Sequence, residues 1–269
     1  KEYNFVSPMY YNSDGMVRDS SSASLLDLTK ENKTDIDLTL TEMRSVSGNI
    51  VLPSGVAPSG GISADIVVSN GKDSGKVTVK IPAGERFASY TAYVPAGKDY
   101  KVKYTVDAKS DYATDGYYGV SGTTLNASSA ASLDLTSENK TEINMTLIPK
   151  RTISGTVSLP SGMTLGSDTK VTVYAGDSYS TTVTIPKNGS SVEYAIKVPP
   201  NSAGSGYKVY YKLSSTTMLI SPGYYSSSGM TASEIGAELV DVSSTDATVD
   251  LVLIPKSSIN GSVIRQEGV

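Results

Sequence analysis

Tyrosine is the side chain with most to offer a ligand in this sequence. The 269-residue chain has 18 of them, and the adjacent pairs Tyr10-Tyr11, Tyr117-Tyr118 and Tyr224-Tyr225 stand 107 residues apart. A phenol ring has apolar faces and a polar tip, so an accessible one stacks on a sugar ring while its hydroxyl hydrogen-bonds. Neighbouring residues of a strand face opposite sides, so one Tyr of each pair enters the core or a sheet edge and the other stays accessible. Tyr11, Tyr118 and Tyr225 are the expected accessible set, and hence the candidate ligand contacts. The competing expectation is structural: each pair locks a strand corner.

Other chemistry is thin. Without Cys, His or Trp, the chain has no thiolate, no imidazole base or ligand, and no indole for sugar stacking. "NSDG" (Asn12–Gly15) and "SDYATDG" (Ser110–Gly116) resemble oxygen-ligand loops for Ca²⁺. The matching third stretch, "SPGYYSSSG" (Ser221–Gly229), has no carboxylate, so all three read as turns. "NKTDIDLT" and "NKTEINMT" carry their acids on an outward, solvated strand face. The triplets at Asn32, Asn139 and Asn188 are glycosylation acceptors only in a eukaryotic secretory host. No acid/base carboxylate couple and no phosphate loop stands out. The expectation is therefore a non-enzyme without cofactor or metal. The net charge of −4 argues against nucleic acid or an anionic membrane as partner, and no apolar run is long enough to span a bilayer.

The elements that position these tyrosines are written more than once. Leu52-Pro53-Ser54-Gly55 recurs at Leu159-Pro160-Ser161-Gly162, 107 residues on. "LIPKRTISGTV" (Leu147–Val157) returns as "LIPKSSINGSV" (Leu253–Val263), 106 residues on. "DYKVKYTV" (Asp99–Val106) answers "GYKVYYKL" (Gly206–Leu213). Such a period is one β-sandwich long. The expected units are residues 45–151 and 152–258, preceded by the C-terminal part of another unit (1–44) and followed by the first strand of a further one (259–269). The two ragged ends read as truncation or as strands offered for exchange.

Within a unit the pattern has period 2. Ile36, Leu38 and Leu40 form an inner row, matched by Ile143, Met145 and Leu147 and by Val249, Leu251 and Leu253. Tyr100, Val102, Tyr104 and Val106 form another, matched by Tyr207, Val209, Tyr211 and Leu213. Ile153, Gly155, Val157 and Leu159 face inward, and this Gly recurs as Gly48 and Gly261, marking a close approach of backbone or a Tyr ring. In the second complete unit, strands are expected to start near Arg151, Lys170, Thr181, Glu193, Tyr207, Thr217 and Thr248. Gly229–Val242 has room for a helical turn. The fold class is therefore all-β, tandem antiparallel sandwiches. Links of about four residues, stiffened by Pro149 and Pro255, predict a restricted domain orientation and an extended stalk.

The order of strands and turn residues, from "IxGxVxLPsG" through "GYYxxxG" to "VxVxLIPK", resembles bacterial carboxypeptidase-regulatory-like repeats, which are transthyretin-like or Cna-B-like β-sandwiches. The resemblance spans both complete units. It implies stalks, spacers or accessory modules of extracellular or cell-surface bacterial proteins. An isopeptide bond of the kind some Cna-B-like domains form is not expected, because the inner rows of the first and last strands hold only Val, Ile, Leu, Met and Gly. The expected function is a non-catalytic stalk whose partners are neighbouring repeats. The alternatives are a module binding polysaccharide or another surface protein through tyrosines, and a fibre subunit self-associating through its terminal strands.

Overall fold

The structure, a computed structural model, describes residues 5–54, 60–202, 204–214 and 218–263. The strand expected near Thr217, Gly55 of the first "LPSG" turn and the last six residues of the terminal strand lie outside the described residues. The chain divides into two compact units, Lys1–Ile148 and Pro149–Val269. Both are all-β, and the helical structure among the described residues amounts to three short 3₁₀ turns.

The N-terminal unit holds β1 (Met43–Val51), β2 (Ile62–Ser69), β3 (Ser74–Ile81), β4 (Phe87–Pro95), β5 (Lys101–Val106), β6 (Asp115–Gly119), β7 (Gly122–Thr124) and β8 (Met145–Thr146). They form two sheets, ordered β4-β1-β8 and β3-β2-β5-β6-β7. Alternation decides the packing. Val46 and Ile50 of β1, Tyr90, Ala92 and Val94 of β4, Ile66 and Val68 of β2, and Val102, Tyr104 and Val106 of β5 share one buried cluster. One inner row from each sheet meets the other, which makes a sandwich core.

The C-terminal unit repeats the plan with β9 (Arg151–Ser158), β10 (Thr169–Ala175), β11 (Tyr179–Ile185), β12 (Ser191–Val198), β13 (Tyr207–Leu213), β14 (Gly223–Tyr224), β15 (Leu239–Val240), β16 (Ala247–Thr248) and β17 (Leu251–Val252). One sheet is ordered β12-β9-β16, with β17 also on β9; the other is β11-β10-β13-β14, with β15 on β13. Ile153, Val157, Val171, Val173, Tyr194, Ile196, Val209, Tyr211, Leu251 and Leu253 lie in its core. The helical turn expected within Gly229–Val242 is the 3₁₀ turn Glu234–Gly236.

The last strand departs from simple antiparallel pairing. β8 runs parallel to β1, with Ile50 opposite Met145, and β17 runs parallel to β9, with Val157 opposite Leu251. The pairing is broken into short pieces, and polar side chains bridge them. Asn139 and Asn144 accept hydrogen bonds from the amides of Ser45 and Asn49, at 2.9 and 2.8 Å. Asp246 and Asp250 do the same for Thr152 and Thr156, at 3.0 and 2.8 Å. Asn139, Asn144 and their counterparts on the second unit are thus not only a solvated face: they tie the closing strand.

Residues 5–42 differ. The inner row read for Ile36, Leu38 and Leu40 is covered only at Ile36, which is half-buried. Leu38 and Leu40 are 62% and 64% exposed, whereas the equivalent Met145 and Leu147 are 1% and 0%. The physical reason is the partner strand. β1 lies beside Met145, and among the described residues no strand lies beside 36–40. At the other end Ile259 and Val263 are fully exposed, while the equivalent Ile153 and Val157 are fully buried.

Candidate functional site

Several buried tyrosines act as ties. The inward Tyr90 of β4 donates to the carbonyl of Ile143 at 2.6 Å, and Tyr194 of β12 donates to that of Val249 at 2.6 Å. In each case the ring sits beside the inner glycine of the first strand. A Cβ on Gly48 would lie 2.2 Å from the Ile143 carbonyl oxygen, and one on Gly155 would lie 2.1 Å from that of Val249. The glycine lets the closing strand approach, and the tyrosine hydroxyl pins it. Tyr104 accepts from the Ile148 amide at 3.0 Å, and Tyr211 accepts from that of Ile254 at 2.8 Å. Gly116 and Gly223 leave room for those two rings. Burial pushes the Tyr104 hydroxyl up to about 12 and raises those of Tyr90, Tyr194 and Tyr211.

The three paired tyrosines proposed as ligand contacts occupy matching places. The carbonyl of Tyr11 accepts from the Ser24 amide, that of Tyr118 from Ala131, and that of Tyr225 from Glu238, at 2.8 to 3.0 Å. The preceding tyrosines bridge in the same way, Tyr10 to Val17, Tyr117 to Thr124 and Tyr224 to Thr231. Residues 5–42 therefore keep the local hairpin of the repeat. Tyr118 and Tyr225 are half-buried against the cores of their units, and Tyr11 is half-buried. Each of the three sits in its own copy of the hairpin. In the candidate Ca²⁺ stretches, Asn12 accepts from the Asp14 amide and the Ser110 hydroxyl accepts from that of Tyr112, which is turn chemistry.

A different set of rings marks the outward face of the C-terminal unit. Tyr174 of β10, Tyr210 of β13 and Tyr224 of β14 are direct cross-strand neighbours. Tyr174 and Tyr210 stack with centroids 4.8 Å apart and planes 5° from parallel, and Tyr210 and Tyr224 are 5.3 Å apart. The Lys212 ammonium lies 5.2 Å from the Tyr174 centroid and 5.5 Å from that of Tyr210. Beside the rings opens a cleft of about 230 Å³ lined by Asp177, Lys208, Tyr210, Lys212, Tyr224 and Glu234. Lys208 and Glu234 pair across it at 2.6 Å. The pattern "VYY" at Val209–Tyr211 carried a signal for this face. Alternation puts Tyr211 inside and so Tyr210 outside, on the row of Tyr174.

The N-terminal unit has another concavity, of about 720 Å³, lined among others by Met9, Val17, Arg18, Asp73 and Pro95. Arg18 forms an ion pair with Asp73 there, so the groove is the seam between residues 5–42 and the β2–β3 hairpin. Among the described residues, no group of three or more Asp and Glu gathers as a metal site, and no helix is long and apolar enough to cross a membrane.

No family model matches the chain, and no curated protein matches it in sequence. Solved structures give distant likenesses. A streptococcal ancillary pilin shares 13% identity over 86% of this chain and 69% of that one, with a TM-score of 0.34. The shaft pilin spaA from Lactobacillus rhamnosus GG shares 10% over 81% of this chain and 100% of its own, at 0.31. The tip fimbrial protein Mfa3 from Porphyromonas gingivalis shares 8% over 64% and 77%, at 0.29. At such scores these likenesses assign neither fold nor task to this chain, and both rest on its own strands.

Proposed function

We propose that the chain is a non-catalytic structural element of a bacterial extracellular or cell-surface protein, a stalk or spacer of tandem sandwiches of the carboxypeptidase-regulatory-like or Cna-B-like kind. One observation carries the reading. The residues the two units share are those that close a sandwich: Gly48 and Gly155, Tyr90 and Tyr194, Tyr104 and Tyr211. Chemistry needs a site that differs from its scaffold, whereas load-bearing repeats need the same scaffold again. Pulling on the chain by its ends tests this. Two separate unfolding events are expected, each lengthening the chain by about 35 nm, the reach of about 107 extended residues. Smooth lengthening at low force would sink the reading.

A second reading is favoured by the exposed rows. Among the described residues no strand covers Leu38 and Leu40 as one covers their counterparts, and Ile259 and Val263 have the apolar row of such a strand. In this reading residues 258–263 of a second copy add in parallel beside residues 32–40. The internal units give the register: Val263 opposite Leu38, Ile259 opposite Lys33, and the amides of Ser258 and Ser262 donating to Asn32 and Asp37. The chain has no Cys, so the double variant Leu38→Cys/Val263→Cys reports directly. Oxidation should give a disulfide-linked ladder that grows with concentration. A monodisperse chain with no ladder would remove the fibre reading and leave the spacer reading standing.

A further inference from the structure

We infer that the C-terminal unit carries a carbohydrate-binding face, a role beyond the structural one. Its wall is Tyr174. The ring stacks on Tyr210 at 4.8 Å, the spacing of neighbouring strands, so the rings stand across the sheet like books on a shelf. The opposite face of Tyr174 therefore looks along the hydrogen-bonding direction toward β11. Its cross-strand partner there is Ser180. Ser180 and Thr182 are exposed and small, and Thr182 shares a hydroxyl hydrogen bond with Thr172 at 2.9 Å. The result is a flat aromatic wall above a floor of hydroxyls, with the Lys212 ammonium nearby.

That combination matches a pyranose ring, which offers apolar C–H groups on one face and hydroxyls around its rim. The wall is rigid before a ligand arrives. Tyr210 and Tyr224 are both buried and back Tyr174 from behind, so little conformational freedom is lost on binding. The face belongs to one unit only. At the equivalent places the N-terminal unit has Val67, flanked by Lys76 and Lys103, with Tyr117 beyond. A sandwich of this plan thus closes without the stack, and the stack is an addition to the scaffold.

Titration calorimetry with cellohexaose, xylohexaose, laminarihexaose and chitohexaose tests the proposal on the intact chain. At least one is expected to bind. Tyr174→Val installs the residue of the other unit and should weaken that binding about tenfold or more, since it removes a stacking face. Tyr174→Phe keeps the ring and should stay within about threefold. An unchanged thermal transition in Tyr174→Phe keeps the comparison meaningful if Tyr174→Val loosens the sheet. Three results would each overturn the proposal: binding of none of the four, binding indifferent to Tyr174→Val, or binding lost on Tyr118→Ala or Tyr225→Ala while Tyr174→Val retains it.

Discussion

The two units agree inside and disagree outside. Facing the core, Ile66 and Val68 of β2 answer Val173 and Ala175 of β10, and Tyr104 of β5 answers Tyr211 of β13. On the side of the same strands away from the core, Val67 and Lys103 stand where Tyr174 and Tyr210 stand. A third comparison comes from the ends. Leu38 and Ile259 have the core pattern, yet Leu38 is mostly exposed and Ile259 fully so. Position in the repeat sets which residue is present, while the partner strand sets whether it is buried. The lesson is that residues common to all copies serve closure, and residues confined to one copy are free to serve something else.

The largest effect that would break this comparison is at the inner glycine. Gly155→Ala places a Cβ 2.1 Å from a backbone oxygen that cannot rotate away, and the cost should be about 3 kcal/mol or more. Gly48→Ala should cost the N-terminal unit a similar amount. At Gly261 nothing lies within 4 Å of the added carbon, so Gly261→Ala should leave the stability of the chain within about 0.5 kcal/mol of the parent. Urea titrations of the three variants measure all of this. Equal losses at Gly155 and Gly261 would show that repeat position, not packing, sets the cost.

The inner glycine was legible in the sequence because it interrupts an apolar row at a fixed place in three copies. The strands were legible for the same reason: alternation in "YKVKYTV" leaves one choice of inner face. What alternation cannot show is which strand lies alongside. Ile36, Leu38 and Leu40 have the pattern of an inner row, yet full burial needs β1 or its equivalent next to them. The tyrosine pairs stand out in the sequence because they repeat, and the residues that repeat here are those of closure. The ring stack was harder to see. Tyr174, Tyr210 and Tyr224 are far apart in sequence, and only the register of β10, β13 and β14 aligns them.

Next in size are the hydroxyl ties. Tyr90→Phe and Tyr194→Phe each remove a buried donor from a carbonyl at 2.6 Å, a loss of about 1–2 kcal/mol. The two losses should match, since the geometry is the same in both units. A difference well above experimental error would mean that the shared residues are not doing the same job. Alkali probes other desolvated hydroxyls of both units together. Desolvation holds the hydroxyls of Tyr100, Tyr104 and Tyr207 at about 12 in the folded chain, against about 10 unfolded. A raised folded value favours the neutral form, so the stability is fully present below pH about 10 and is lost as the pH rises toward about 12. Both units should lose structure in that window, followed by circular dichroism with tyrosinate absorbance at the same time.

The smallest effect is the sharpest test of the outward face. Tyr174→Val removes one ring from a stack whose cross-strand contacts are worth about 0.5–1.5 kcal/mol. The reverse exchange, Val67→Tyr, puts a ring between Lys76 and Lys103 rather than beside another ring. It should gain no more than about 0.5–1 kcal/mol, the size of an exposed cation–π contact. If the stack existed for stability, Tyr174→Val would cost as much as the loss of a core tie, and the N-terminal unit, which lacks it, would melt first for that reason. A small cost places the rings outside the closure machinery. That leaves contact with something other than the chain itself as the reason for a wall of aromatic rings on a face where the other unit manages with valine and lysine.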